Sequence, residues 1–235
     1  MKTLILLIGI FFLALPARSQ DVLDTFPGVQ EGDTSVAWEA DVPPGWELEK
    51  GDPVGPELTG ESLRIQSQNA TEPVILSASP DLSRITGDQY KIVIPLLVEK
   101  ASGGMTLTFA SYANFATKSS AWSWCVLGQD NKWVIFDRAS PVVVPSTGPN
   151  AINISDGRNY VLTIVVDRAT QTYSARLSDG TSEFASKPQL YFRDKDNDLS
   201  PHFRLTFSSK QPEGEYFSVS LGTITIKKPN SEPPQ

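Results

Sequence analysis

Apolar and polar residues alternate with a period of two through most of the chain after about residue 20. The stretches 90–98, 160–166 and 203–207 carry an apolar residue at every second position. Since successive side chains of a β-strand point to opposite faces, each stretch predicts a strand with one face in a core. A helical period is sustained nowhere for more than about two turns. The pattern predicts short strands at 21–26, 34–40, 62–67, 73–78, 90–99, 104–112, 121–127, 132–137, 141–145, 160–168, 171–178, 202–209 and 216–227.

Glycine, proline, aspartate and asparagine cluster between these strands and indicate turns. We expect 102–104 to close a hairpin between the strands on either side of it, and Asp179 with the glycine after it to close another. Gly222 lies where the apolar parity switches in the last predicted strand, which indicates a bulge or bend. Residues 41–60, rich in proline and glycine, are predicted to form an ordered long loop.

The first nineteen residues have the pattern of a secretory signal peptide. Lys2 supplies a positive charge, an apolar run extends over 4–15, and small side chains stand at Ala17 and Ser19. The run is shorter than the ~20 residues that a helix needs to cross a bilayer. We therefore expect cleavage after Ser19 and a secreted or periplasmic product with no membrane anchor. A protein outside the cytoplasm has no ready supply of nucleotide cofactors, which argues against nucleotide-driven chemistry.

Length, charge and cysteine content narrow the class of protein further. Residues 20–228 are predicted to form one domain, because no linker or repeat interrupts them and they can bury a sizeable core. The formal net charge of −7 repels phosphate backbones, so we expect no nucleic-acid partner. Cys125 is the single cysteine, so no internal disulfide can form, and we expect it to be a small buried hydrophobe. Residues 229–235 are polar and proline-rich and are predicted to be a disordered tail.

Two stretches resemble the concanavalin A-like lectin/glucanase superfamily, which includes laminin-G-like domains. Within 160–180 a strand ends in Asp167, a tight turn follows, and a Tyr-Ser strand leads to an Asp-Gly turn. The segments 22–26 and 217–226 match the first and last strands, which commonly lie side by side in that superfamily. The resemblance implies an all-β fold, a two-sheet antiparallel jelly-roll β-sandwich. It does not select a function, since this fold hosts enzymes, lectins and structural domains.

The catalytic motifs of enzymes with this fold are missing from the sequence. Glucanases carry Glu-x-Asp-x-(x)-Glu on one strand, which places the carboxylates on one face. The nearest match is Glu39-Ala40-Asp41, where two prolines follow in place of the second glutamate. The strands that jelly-roll alginate lyases need are likewise missing, and 191–193 matches one of them only in part. We expect no catalytic residues.

The sequence also gives little support for a metal site or a catalytic nucleophile. The single histidine, His202, excludes a two-histidine metal site, and no serine lies in a Gly-x-Ser-x-Gly elbow. Asp194, Asp196 and Asp198 place oxygen ligands at alternating positions, which suits a hard cation such as calcium. Their loop lacks the glycine and the final glutamate of an EF-hand. The alternatives are therefore a structural calcium site completed by other loops and a solvated acidic turn, with no other cofactor expected.

The segments 121–127 and 132–137 form a predicted hairpin with three tryptophans on one face. A four-residue loop at 128–131 would place Leu127 opposite Lys132. Both faces are substantially apolar, which leaves two interpretations open. Either the tryptophans fill the core, or they project from the concave sheet and stack on sugar rings while nearby polar groups bind the hydroxyls. The second interpretation defines a candidate glycan site of Trp122, Trp124, Trp133, Tyr112, Asp137, Arg138 and Arg204.

These observations favour a secreted, non-catalytic carbohydrate-binding module that acts on extracellular or periplasmic polysaccharide. One alternative is a glycoside hydrolase or polysaccharide lyase with atypical catalytic residues. Another is a structural or adhesive domain of a cell envelope. The solvent exposure of the two faces of strand 121–127 is the observation that best separates a binding role from the others.

Overall fold

Regular structure in the described residues consists entirely of β-strands. The computed structural model describes residues 22–26, 46–50, 54–59, 62–68, 74–78, 88–101, 105–112, 122–193, 202–208, 216–222 and 224–227. The predicted signal peptide, the strand predicted at 34–40 and the predicted tail lie outside these ranges. The strands are β1 Val22–Phe26, β2 Trp46–Lys50, β3 Val54–Thr59, β4 Ser62–Gln68, β5 Val74–Ala78, β6 Gln89–Lys100, β7 Thr106–Tyr112, β8 Trp122–Gln129, β9 Lys132–Asp137, β10 Ser140–Val143, β11 Arg158–Asp167, β12 Thr172–Ser178, β13 Glu183–Ala185, β14 Leu190–Tyr191, β15 His202–Ser208, β16 Tyr216–Leu221 and β17 Ile224–Lys227.

The strands form two antiparallel sheets, as predicted. The ten-stranded sheet runs in the order β13-β12-β11-β6-β16-β4-β3, with β14 paired to β12, β17 paired to β6, and β1 paired to β17. The seven-stranded sheet runs in the order β10-β9-β8-β7-β15-β5-β2. Within the described ranges, no helix has the length and apolar character needed to cross a membrane.

The core lies between the two sheets and is built from the alternating rows that the sequence predicts. Every second residue of β6 from Tyr90 to Val98 is buried, and the same holds for β11 from Tyr160 to Val166. Because β6 and β11 pair in register over ten residues, these two rows form one continuous apolar surface. The seven-stranded sheet covers that surface with Met105, Leu107, Phe109, Val126, Trp133 and Ile135.

Two predictions about connections are wrong. The strands on either side of 102–104 do not form a hairpin, because β6 belongs to the ten-stranded sheet and β7 to the seven-stranded sheet. Their apolar rows meet across the core and not within one sheet. The segment 41–60 is not a loop throughout, since it contains β2, which pairs with β5, and β3, which pairs with β4. Register shifts in both pairings break the alternation that would reveal these strands in the sequence.

The predicted pairing of the chain ends and the predicted bend at Gly222 are confirmed. β1 pairs with β17, from Val22 opposite Lys227 to Phe26 opposite Ile224. Gly222 separates β16 from β17, both of which pair with β6. Its amide donates to the Pro95 carbonyl at 3.0 Å, and a Cβ at this position would lie 3.1 Å from the Pro95 Cβ. Glycine therefore permits the close approach of the two backbones at this bend.

A tyrosine hydroxyl joins the two sheets where β8 and β9 stop pairing. The ladder between β8 and β9 ends with Val126 opposite Ile135. Beyond that pair, the phenol of Tyr173, which projects from β12 in the other sheet, forms hydrogen bonds with backbone groups of β8 and β9. It accepts a hydrogen bond from the Phe136 amide at 3.2 Å, donates to the Phe136 carbonyl, and lies 3.3 Å from the Cys125 carbonyl. Burial raises the pKa of Tyr173, which keeps the hydroxyl neutral and able to both donate and accept.

We expect Tyr173→Phe to destabilise the fold by about 1–3 kcal/mol, because it leaves buried backbone groups of Phe136 without a partner. The Phe136 amide should also exchange with solvent faster than the loss of global stability alone explains. Denaturant unfolding and amide hydrogen exchange measure the two effects. Tyr160→Phe is the matched control, since its hydroxyl donates to the Asn153 carbonyl at 2.5 Å and does not contact Phe136. Equal Phe136 exchange in the two variants, after correction for stability, would contradict this role of Tyr173.

Candidate functional site

The tryptophan hairpin has the predicted face pattern but a shorter turn. Gln129 pairs with Lys132, so the turn has two residues, Asp130 and Asn131, with φ of 50° and 62°. Two consecutive positive φ angles are typical of the tight turns that match the twist of a hairpin. The predicted four-residue loop is therefore wrong. The register differs from the predicted one by two residues, and a shift by two leaves each residue on its predicted face.

Trp133 lies in the core and not on a solvent-exposed face. Its side chain has 0% exposure, its ring stacks on Phe109 at 6.3 Å, and it meets the edge of Tyr160 at 5.6 Å. It also lies over Gly128, where a Cβ would be 3.1 Å from the indole. An indole enclosed in this way is unavailable for stacking on a sugar. The predicted glycan site is therefore corrected at this residue, and for Trp133 the core interpretation describes the structure.

Four other residues of the predicted glycan site are placed by their backbone alone. Trp122 and Trp124 lie on β8, Tyr112 on β7, and Arg204 on β15. Their side chains lie outside the described part of the structure. The pairing of β7 with β8 shifts register between Ala110 and Tyr112, where Tyr112 pairs with Trp122. Asp194, Asp196 and Asp198, the predicted calcium ligands, also lie outside the described residues.

Asp137 and Arg138, the remaining predicted residues, come together with a second segment of chain. Asp137 ends β9, and Arg138 follows in the tight turn to β10 with φ of 54°. The Arg138 amide donates to the Tyr191 carbonyl at 3.0 Å, and the Tyr191 amide donates to Asp137 Oδ1 at 3.0 Å. These two bonds fix the end of β9 against β14. A left-handed φ at an arginine is uncommon and disfavoured, so the surrounding contacts must hold it.

The segments 136–138 and 191–193 contact each other through two arginine–aromatic pairs. The Arg138 guanidinium lies 4.7 Å from the centre of the Tyr191 ring, and the Arg193 guanidinium lies 4.5 Å from the centre of the Phe136 ring. Each segment thus supplies one arginine and one aromatic ring, two residues apart, and each arginine covers the ring of the other segment. Phe192, between Tyr191 and Arg193, is buried, so its two neighbours lie on the opposite side. We name Phe136, Asp137, Arg138, Lys187, Tyr191 and Arg193 the crossed cluster.

The carboxylate of the crossed cluster is neutralised by a lysine. Lys187 Nζ lies 2.5 Å from Asp137 Oδ2, with 55% of the lysine side chain exposed. The hydrogen bond from Lys187, assisted by that from the Tyr191 amide, lowers the pKa of Asp137 below its ordinary value. Asp137 is therefore ionised at neutral pH and acts as an acceptor that orders the cluster. A carboxyl held in this form is poorly suited to act as a general acid.

Cys125 lies on β8 next to the buried Val126 and is itself 4% exposed. Burial raises the pKa of the thiol to about 11, although the charge of Arg193 acts in the opposite direction. The thiol therefore remains protonated at neutral pH and, as predicted, behaves as a buried hydrophobe.

A second polar cluster lies on the ten-stranded sheet, away from the crossed cluster. Glu99 accepts hydrogen bonds from Ser218 and Ser220 at 2.6 Å and from Arg64 at 2.7 Å. Burial raises the pKa of Glu99, but these donors outweigh it and lower the pKa overall. The register of β6 against β16 shifts next to Glu99. The cluster binds three strands together at this bulge, and each of its donors is already directed at the carboxylate.

Metal binding receives no support from the described part of the chain. Among those residues, no group of three or more histidine, cysteine, aspartate or glutamate side chains is placed to hold a metal ion. The calcium prediction concerns residues outside this part and stays a prediction.

Sequence reasoning misses four of the six residues of the crossed cluster. Tyr191 and Arg193 stand out in the sequence only as a partial match to a lyase strand, while Phe136 and Lys187 carry no signal of their own. Asp137 and Tyr191 are 54 residues apart, so no local spacing reports their contact. The alternation of Tyr191, Phe192 and Arg193 is the one local hint, since it predicts two exposed side chains around a buried one.

Comparison with known proteins shows likeness in structure only. No family model and no curated protein matches the chain. Arcelin-5, a lectin-like defense protein from Phaseolus vulgaris, is 9% identical with a TM-score of 0.52, over 88% of this chain and 97% of arcelin-5. A sialidase is 10% identical with a TM-score of 0.52 over 79% of this chain, which spans 17% of the sialidase. The catalytic domain of a GH131 β-glucanase from Podospora anserina is 9% identical with a TM-score of 0.49, over 72% of each chain.

The likenesses to arcelin-5 and the sialidase, together with the two-sheet topology, show the fold. The chain is an all-β, two-sheet antiparallel jelly-roll β-sandwich of the concanavalin A-like type, as the sequence resemblance implied. At such low identity the likeness extends to the fold alone, and function has to be argued from side chains.

We expect Lys187→Met to raise the pKa of Asp137 towards its ordinary value, because it removes the main hydrogen bond to the carboxylate. Lys100→Met is the matched control: Lys100 lies 2.7 Å from Asp156, and its removal should raise the pKa of Asp156 while leaving Asp137 unchanged. Carboxyl carbon chemical shifts followed through a pH titration measure both values.

The same titration has a consequence for stability. Because the pKa of Asp137 is lower in the folded state, its contribution is complete above the ordinary aspartate pKa of about 4 and is lost as the pH falls towards the lowered value. The Lys187→Met variant should lose less stability than the parent protein in that acidic range. A pKa of Asp137 that does not respond to Lys187→Met would show that the ion pair does not order the cluster.

Proposed function

We propose that the protein is an exported, non-catalytic carbohydrate-binding jelly-roll module, with the crossed cluster as part of its glycan contact surface. The supporting observation is the composition of that cluster. Tyr191 is 36% exposed, and the side chains of Arg138, Lys187 and Arg193 reach solvent around it. Aromatic faces that meet the C–H side of a sugar, next to side chains that bind hydroxyls, are a common way to hold a carbohydrate.

The structural likenesses agree with this proposal. Arcelin-5 is described as lectin-like, and the sialidase by its name acts on a sugar, while both share this fold. Export is part of the proposal because of the signal-peptide pattern of residues 1–19. A polysaccharide outside the cell or in the periplasm would then be the available ligand.

The absence of catalysis is proposed from the state of two carboxylates. Asp137 and Glu99 have their pKa lowered by hydrogen-bond donors, and they lie on different sheets. Retaining and inverting glycosidases need two carboxyls within about 5–10 Å of each other, one of them with a raised pKa. Neither Asp137 nor Glu99 has the raised pKa that the general acid needs, which favours binding over hydrolysis at these two residues.

We expect the exported protein to be retarded by one or more polysaccharides in affinity electrophoresis, with no release of reducing ends or unsaturated products. Tyr191→Ala should weaken that binding by roughly five- to thirtyfold, from about 1–2 kcal/mol of lost ring contact. Val161→Ala is the control, since Val161 is 43% exposed on β11 and is not one of the six residues of the crossed cluster. Binding to no glycan would end the proposal, and product release by the purified protein would make it an enzyme.

A further inference from the structure

We infer that the crossed cluster binds the carboxylate or sulfate group of an anionic saccharide. This inference rests on the proposed carbohydrate-binding function and names the class of glycan.

The charge of the crossed cluster is opposite to that of the whole chain. The chain has a formal net charge of −7, yet the cluster contains three cationic side chains and one carboxylate. Lys187 lies 2.5 Å from Asp137 and neutralises it. The side chains of the six residues therefore sum to two positive charges. A local positive charge on an acidic protein attracts anionic ligands.

The position of each arginine leaves its hydrogen-bond donors suited to an oxyanion. The Arg138 and Arg193 guanidinium groups each lie over one aromatic ring and are solvent-exposed. The N–H groups of a guanidinium form a planar fork that matches the two oxygens of a carboxylate or sulfate. Five donors per guanidinium leave enough for a ligand.

Both arginines are held in position before any ligand arrives. The Arg138 backbone is fixed by its hydrogen bond to Tyr191 and has the disfavoured φ of 54°. Arg193 lies over the Phe136 ring. Ordering a long side chain on binding costs free energy, and prior ordering removes much of that cost.

The aromatic ring favours a saccharide over a small inorganic anion. Tyr191 remains partly exposed while Arg138 covers one part of its ring. A sulfate or phosphate ion alone has no apolar group that could contact this surface. A sugar ring that carries an acidic group can place its C–H face on the tyrosine and its anionic group on the arginines.

The test compares acidic polysaccharides with neutral counterparts. The carboxylate arm is polygalacturonate against its fully methyl-esterified form, and the sulfate arm is dextran sulfate against dextran. We expect retardation by the acidic member of one pair or both, with at least tenfold weaker binding to the neutral member. The arm that responds identifies the anionic group.

Variants assign the effect to the crossed cluster. Arg138→Gln and Arg193→Gln should each weaken binding of the acidic polysaccharide by about tenfold, the usual effect of one lost charge-assisted hydrogen bond. Arg176→Gln is the charge-matched control, because Arg176 is exposed on β12, opposite Ala185 and outside the six residues of the crossed cluster, and it should leave binding unchanged. Arg138→Lys and Arg193→Lys keep the charge but lose the planar fork, and they should bind several-fold more weakly than the parent protein. Thermal unfolding of each variant identifies any that fail to fold. If a glutamine variant does not fold, the corresponding lysine variant is used to test the role of that arginine.

The outcomes separate this inference from the proposed function. Equal binding of acidic and neutral glycans, unaffected by the arginine variants, would overturn the anionic preference and leave carbohydrate binding standing. Loss of binding in Arg176→Gln as large as in the cluster variants would show a general charge effect and overturn the site. Poly-glutamate bound as tightly as the acidic glycans would overturn the saccharide specificity. No binding of any polysaccharide would remove the proposed function together with the inference.

Discussion

The hydroxyl of Tyr173 is the contact on which the candidate site depends. It projects from the ten-stranded sheet, crosses the core, and takes the backbone groups of Phe136 where β8 and β9 separate. The same residue pairs through its backbone with Leu190 in β14, and its ring lies 6.3 Å from that of Phe192. One tyrosine therefore positions both segments that form the crossed cluster. Without its hydroxyl, the part-buried amide and carbonyl of Phe136 would lose this partner, at a cost in stability.

The burial of Trp133 in the core removes it from the candidate site, whose described residues lie at the end of β9 and along 187–193. A tryptophan in the centre of a sandwich fills the space that several aliphatic side chains would need, and glycine at position 128 is the condition for it. Phe109 and Tyr160 then pack against the indole from the two sheets. Trp133 and Phe136, the two described aromatic side chains of this hairpin, therefore have different roles. Trp133 stabilises the core, whereas Phe136, beyond the point where the ladder ends, is half-buried and free to contact Arg193.

The sequence predicts those parts of the fold that leave a local signal. The buried rows of β6 and β11 are found because alternation over seven or more residues is unambiguous. Assignment of strands to sheets is harder, because alternation shows that one face is buried but not which strand lies beside it. For that reason β7 is predicted as a strand but wrongly paired with β6. The sequence does not decide whether Trp133 points into the core or towards solvent, because both faces of its hairpin are apolar. Only packing decides between them.

The candidate site is predicted in part, for a related reason. Asp137 and Arg138 are found because they follow a strand that is itself recognisable, but their partners lie more than fifty residues later in the chain. Arg138 belongs to the candidate site because it contacts the Tyr191 ring, and Arg193 belongs to it because it contacts the Phe136 ring. Neither arginine is distinguished in the sequence from any other exposed cation. A site made of contacts between distant segments becomes visible only when the topology that joins them is known, and here Tyr173 contacts both segments. The proposed binding surface would therefore depend on this core contact for its geometry.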